Sequence, residues 1–109
     1  MPKSVFIGEF EQLVLLAILH LENDAGALAL RSRMNALAGR SISRGALYRT
    51  LDRLEAKGWV AWTLDDTERP ERGGHPSRHF RVTRQGITAL RASRATLLSL
   101  WDGLERVLR

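Results

Sequence analysis

The chain has 109 residues, room for one domain and little more. Its 17 Lys and Arg outweigh 12 Asp and Glu, and the formal net charge of +5 favours a polyanionic partner. The absence of cysteine excludes disulfides, thiolate metal sites and cysteine catalysis. The first residues lack the apolar core of a signal peptide, and the longest apolar run, Leu13 to Leu19, is too short to span a bilayer, so the expectation is a cytoplasmic protein with no membrane partner.

In chain order, Gly8 opens a first helix, with Glu9 and Glu11 placed favourably against its dipole. Phe10, Leu13, Val14, Ala17, Ile18 and Leu21 recur at helical spacing, and Leu15, Leu16 and Leu19 fill the other faces, as in a central helix packed from several sides. Asp24 is the expected N-cap of a second helix ending before Gly39, with Leu28, Leu30, Met34 and Leu37 buried and Arg31 and Arg33 outward. A third helix follows at once, from an N-cap at Ser43 to Lys57, with Leu47, Leu51 and Leu54 buried and Gly58 as terminator. The connection between them is so short that the two must cross steeply, as in a helix-turn-helix.

Trp59 to Leu64 reads as a strand, Asp65 to Ser77 as a loop broken by Pro and Gly, and Arg78 to Thr83 as the return strand. A β-hairpin directly after a helix-turn-helix is a wing. Thr83 caps a last helix that is expected to run to the C-terminus. Ile87, Leu90, Leu97, Trp101, Leu104 and Leu108 form its stripe, interrupted by Arg94 and widened by Leu98, Leu100 and Val107. Such a helix would extend about 35 Å or more, beyond what a small domain covers, so a second subunit is the economical way to bury it. The stripe is therefore the expected homodimer interface.

Charge is concentrated in the middle of the chain. Arg31, Arg33, Arg40, Arg44, Arg49, Arg53 and Lys57 face only Asp52 and Glu55 between residues 31 and 58. On the third helix, Gly45, Arg49, Asp52 and Arg53 lie opposite the leucine stripe, flanked by Arg44 and Tyr48. Helix-turn-helix proteins read bases with the N-terminal part of the second helix, and arginine pairs bidentately with guanine, so Arg49 is the candidate for base contact. Ser43, Arg44, Tyr48 and Arg53 suit phosphate contacts, and Gly45 lets the backbone approach the groove. Two readings of Tyr48 stand, phosphate contact or half-buried packing. Asp52 either repels DNA locally or orients Arg49 or Arg53.

In the wing, the tip Arg72, Gly73, Gly74 and the following Arg78 attract phosphate, against the acidic Asp65, Asp66, Glu68 and Glu71; a plain solvated loop is the other reading. His75 and His79 lie in a loop and strand where their spacing does not converge, so no metal or other cofactor is expected. Scattered histidines, no phosphate-cradling loop and no paired carboxylates on one face argue against an enzyme.

Three stretches together resemble the PadR family of bacterial transcription regulators: Gly8-Glu-Phe-Glu-Gln-Leu-Val-Leu-Leu-Ala-Ile-Leu, then Ser43-Arg-Gly-Ala-Leu-Tyr-Arg-Thr-Leu-Asp-Arg-Leu-Glu-Ala-Lys-Gly-Trp-Val, then Arg72-Gly-Gly-His-Pro-Ser-Arg-His-Phe-Arg-Val-Thr-Arg-Gln-Gly. The resemblance spans nearly the whole chain. It implies a winged-helix dimer, usually a repressor, that binds a pseudo-palindromic operator and is often released by a small molecule. This chain is similar to the short subgroup in which one long C-terminal helix serves dimerisation. By position, Tyr48 matches the recognition-helix tyrosine, and Arg78 and Phe80 match the basic and aromatic residues after the wing glycines. Gly26-Ala27 stands where the family commonly has Tyr-Gly, and Phe80 replaces the commoner tyrosine. Trp101 has two readings, dimer core or the lining of a pocket for a small apolar or aromatic effector.

The expected architecture is mostly α with a small β-hairpin, a winged helix-turn-helix plus a long C-terminal dimerisation helix. Residues 1–83 would form the DNA-binding domain and 84–109 the dimerisation helix. The expected partners are double-stranded DNA and a second copy of the chain. A winged helix that binds another protein instead of DNA is the alternative.

Overall fold

In the computed structural model, which describes residues 7–39, 41–65 and 77–109, four helices accompany a small antiparallel sheet. The order is α1 (Glu9–His20), β1 (Ala25–Gly26), α2 (Ala27–Ala38), α3 (Arg44–Ala56), β2 (Val60–Asp65), β3 (Ser77–Val82) and α4 (Arg84–Trp101), then a 3-10 turn, Glu105–Leu108. The sheet order is β1-β3-β2. The expected helix-turn-helix and hairpin are present, making a winged-helix fold.

The N-terminal half differs from expectation at α2. Asp24 is not its cap. Glu22 and Asn23 adopt positive φ, 60° and 59°, turning the chain sharply after α1. The Asn23 amide then grips Val82 from both sides, accepting its N–H at 2.7 Å and donating to its carbonyl at 3.2 Å. That clasp lays Ala25 and Gly26 beside Phe80 and His79 as a third strand, and α2 starts from Gly26 instead. Asp24 pairs with His79 Nδ1 at 2.8 Å.

The core combines Val14, Leu15 and Ile18 of α1, Leu30 and Met34 of α2, Leu47, Leu51 and Leu54 of α3, and Phe80 of β3, each 2% exposed or less. Of the expected α2 stripe, only Leu30 and Met34 are buried. Leu28 is 70% exposed because it lies about half a turn round the helix from Leu30. Leu37, also exposed, borders an open groove between α1 and α2 with Leu13, Leu16 and His20. Arg33 faces outward as expected, but Arg31 turns back to hold the α2–α3 connection.

Gly58 follows α3 at φ 79°, a left-handed turn that a side chain would strain. At the other junction, Thr83 caps α4 by accepting the Gly86 N–H at 3.1 Å, and its hydroxyl donates to the Gly58 carbonyl at 2.7 Å. Gly86 is pressed so close that a Cβ there would overlap the Trp59 carbonyl and sit 2.6 Å from Val82 Cγ1. The first turns of α4 are thus seated on the body: Gly86 and Ala89 are buried, and Ile87 and Leu90 are half-buried against the core.

Beyond that point α4 is no longer buried against the body. Every residue from Arg94 to Arg109 is exposed. The helix does not reach the C-terminus, because Asp102 and Gly103, the latter at φ 83°, break it after Trp101. Leu104 and Leu108 therefore lie beyond the helix, around the 3-10 turn. The radius of gyration is 15.9 Å, where a compact chain of this length would have about 13 Å.

Candidate nucleic-acid interface

Recognition by α3 requires that the helix be held while its outer face stays open. The connection before it is fastened by α2: Ile42 is buried, its N–H donates to Asn35 Oδ1 at 2.8 Å, and its carbonyl accepts Arg31 Nε at 2.7 Å. Ser43 is the N-cap, its Oγ accepting the Ala46 N–H at 3.1 Å, which satisfies one of the helix's unpaired donors. Leu47, Leu51 and Leu54 then anchor the inner face.

The outer face carries Arg44, Gly45, Arg49, Asp52 and Arg53, all exposed. A Cβ on Gly45 would lie 3.2 Å from Arg49 Nη1, so the Arg49 guanidinium reaches back over Gly45 towards the start of the helix. That is the direction in which helical side chains lean, and it carries the base-contact candidate towards the N-terminal end of α3. Arg44 lies over the Tyr48 ring at 5.6 Å. Tyr48 itself is half-buried against the core while flanking this face, so packing and surface display coexist in one side chain.

Arg53 is less free than the sequence suggests. Its Nη2 donates to Thr50 Oγ1 at 3.1 Å, and its Nε lies 3.8 Å from Glu11 Oε2, with 56% of the side chain exposed. Glu11 is the residue that sequence reasoning underrated. Lys57 Nζ donates to both its oxygens, at 3.0 and 2.9 Å, and the Gly8 N–H donates to Oε1 at 3.2 Å. Burial pushes its pKa up, but the Lys57 hydrogen bond, the Gly8 N–H and the charges of Lys57 and Arg53 outweigh it and hold the carboxyl below its ordinary value. Glu11 thus ties the end of α3 to the start of α1. Its place on the same helical face as Val14, Leu15 and Ile18, three, four and seven residues on, was the available signal: an acid on the core stripe needs a cation.

At the base of the wing, Arg78 stacks on Trp62 at 4.4 Å, and Trp62 Nε1 donates to Glu55 Oε2 of α3 at 3.1 Å. The remaining wing candidates, Arg72, Gly73 and Gly74, lie outside the described residues, as does His75. Among the described residues no group of three or more His, Asp or Glu is placed to hold a metal ion, and no helix is long and apolar enough to cross a membrane.

Away from α3, α1 and α4 flank an open groove of about 460 Å³, lined by Leu16, Leu19, Leu90, Arg94, Leu97 and Trp101 among others. Ser93 Oγ donates across it to Gln12 Oε1 at 2.8 Å. Trp101 is 48% exposed at its rim. Of the expected dimer stripe, Ile87 and Leu90 are partly used inside the chain, whereas Leu97, Trp101, Leu104 and Leu108 are exposed.

The sequence model of the transcriptional regulator PadR-like family matches residues 15–92, from within α1 to within α4. The chain belongs to the PadR family. A PadR family transcriptional regulator from Eggerthella lenta DSM 2243 is similar at 30% identity and TM-score 0.68, over 93% of this chain and 87% of that one. A PadR-like regulator from Bacillus cereus strain ATCC 14579 shares the fold at 17% identity and TM-score 0.72, over 92% and 91%. F93 from STIV, described as a winged-helix DNA-binding protein, does so at 15% identity and TM-score 0.69, over 91% and 98%. No curated protein sequence matches the chain. Membership in this family of transcriptional regulators agrees with the expectation of a non-enzyme.

Proposed function

We propose that this PadR-family regulator binds double-stranded DNA sequence-specifically, as a homodimeric repressor on a pseudo-palindromic operator. The observation that carries the reading is the outer face of α3, where exposed Arg44, Arg49 and Arg53 surround Gly45 on a helix fixed along its opposite side. Arg49 reads a base edge; Ser43, Arg44, Tyr48 and Arg53 bind phosphates, joined by Arg72, Gly73, Gly74 and Arg78 of the wing. The relation to winged-helix DNA-binding proteins supports this assignment.

Two copies are joined by the C-terminal segment, with residues 1–83 as the reading domain and 84–109 as the linking element. Exposed Leu97, Leu98, Leu100 and Trp101 support that role, since an apolar helix face of this kind calls for a partner. Trp101 at the rim of the α1–α4 groove is the contact for a small apolar or aromatic effector that releases the operator.

Duplex binding measured against salt tests the reading. Each neutralised phosphate contributes roughly 0.9 to the log–log slope, so affinity for the selected site should fall steeply. Arg49→Ala should relax base preference at one position as well as weaken binding, by about 1–3 kcal/mol. Salt-independent binding, or none, leaves the alternative of a protein-binding winged helix.

A further inference from the structure

We propose that Trp62 is a positioning residue for DNA binding: it holds the Arg78 guanidinium ready for a phosphate and couples the wing to α3 through Glu55. The proposal rests on the DNA-binding reading above and adds a residue that neither the family resemblance nor the basic-patch argument singles out.

The register explains how the three groups meet. Trp62 pairs with Phe80 and Leu64 pairs with Arg78, so Arg78 lies diagonally across from Trp62 on the same face of the hairpin, within reach of a large ring. Phe80 and Val82 of that face are buried in the core, whereas Arg78 is exposed and Leu64 is 52% exposed. The face therefore begins in the core and runs out past its edge. Just at that edge the half-buried Trp62 ring offers its flat side to Arg78 at 4.4 Å and its Nε1–H to Glu55 Oε2 at 3.1 Å.

Each contact does separate work. A planar guanidinium stacks on an indole without using its N–H donors, so they stay free for an anion. An unstacked arginine must give up rotamer freedom when it clamps a phosphate; a stacked one has surrendered part of it already. The Glu55 bond fixes the plane of the ring relative to α3. Arg78 consequently keeps a set position relative to Arg49, although the two belong to different elements.

A double-mutant cycle on the full chain tests this, with a duplex selected by the wild type from a random pool. Trp62→Leu should weaken binding roughly three- to five-fold per half-site, the effect of one exposed stack. It should leave the salt slope unchanged, because Arg78 still reaches its phosphate. Arg78→Ala should lower that slope by about 1 per half-site, and adding Trp62→Leu to it should cost nothing further. Trp62→Phe, which keeps a ring face, should stay within about two-fold of wild type. In the free protein, Arg78→Ala and Glu55→Gln should each shift the Trp62 indole N–H resonance. Losses that add in the double variant, or an indole resonance unmoved by both substitutions, would overturn the proposal while leaving DNA binding intact. A wild type that selects no duplex overturns the DNA-binding reading first, and this role with it.

Discussion

Two leucine-rich helices of this chain meet opposite fates. In α3, Leu47, Leu51 and Leu54 are at most 1% exposed, and the polar face is left for a partner. In the second half of α4, Leu97, Leu98, Leu100 and Trp101 are 42–68% exposed, and the apolar face is the one left open. The sequence patterns are of the same kind, so composition does not separate them. What separates them is how completely the chain covers them: α3 is enclosed, whereas α1 gives the end of α4 only one side of an open groove. The winged-helix body is complete as a monomer. The α4 arm leaves its apolar face uncovered within the chain.

The sharpest way to break this contrast is to make one substitution in both places. Leu51→Ala should cost about 2–5 kcal/mol of stability, from lost burial and the cavity left behind, at every protein concentration. Leu97→Ala should leave the melting of the dilute monomer nearly unchanged and appear only as weaker association. Chemical denaturation over a range of concentrations distinguishes the two. A concentration-independent loss of several kcal/mol at Leu97 would show that α4 is finished within the chain. Leu97→Asp extends the test: sedimentation should show monomers, and DNA affinity should drop by about 10²–10⁴-fold with loss of the second half-site. A dimeric Leu97→Asp variant would place the interface elsewhere.

A smaller effect is expected where the two regions join. Gly86 lets α4 lie against the Trp59 carbonyl and Val82, and backbone cannot yield as a flexible side chain would. Gly86→Ala should cost about 1–3 kcal/mol, even though alanine favours a helix over glycine by about 1 kcal/mol. A variant more stable than wild type would mean that α4 is not seated on the sheet, and that the arm begins earlier than Arg94.

How much of this was legible depends on how far apart the interacting residues lie. The cap at Ser43, the Leu47–Leu51–Leu54 stripe, the stop at Gly58 and the cap at Thr83 are set by neighbours in sequence, and all were readable. Strand β1 was not: two residues carry no periodicity, and the apparent cap Asp24 is claimed by His79, distant in sequence. The exposure of Leu37 likewise depends on which neighbours cover α2, whereas that of Leu28 follows from its angle to Leu30 and was open to the sequence. On α3, the exposure of Arg49 on the face opposite the leucines was readable from spacing alone, since placement on the helix fixes its direction. The hold of Asn35 and Arg31 on Ile42 could not be found that way. Arg78 was found as a charge, but its partner Trp62 emerges only from the β2–β3 register.

The least disruptive test probes the bond that holds α3 to the body. Glu11 is 7% exposed, whereas the Lys57 side chain is 41% exposed. Replacing the acid therefore leaves Lys57 a route to water, and Glu11→Gln should cost near the low end of a charged hydrogen bond, about 1.5 kcal/mol. The pH dependence follows from the direction of the shift. The folded carboxyl lies below its ordinary 4.5, and in the unfolded chain it titrates at about 4.3. Its contribution is complete above that unfolded value and fades as pH falls through the folded one, because protonation then takes place against the Lys57 and Arg53 charges. Wild type and Glu11→Gln should thus differ by a constant amount from pH 7 to about pH 5.5 and converge in stronger acid. A gap that persists unchanged into strong acid would mean that the Gln variant fails by packing and that the ion pair contributes little. Above pH 5.5, weaker DNA binding by a fully folded Glu11→Gln would show that this contact fixes the angle of α3, whereas unchanged binding would confine Glu11 to stability.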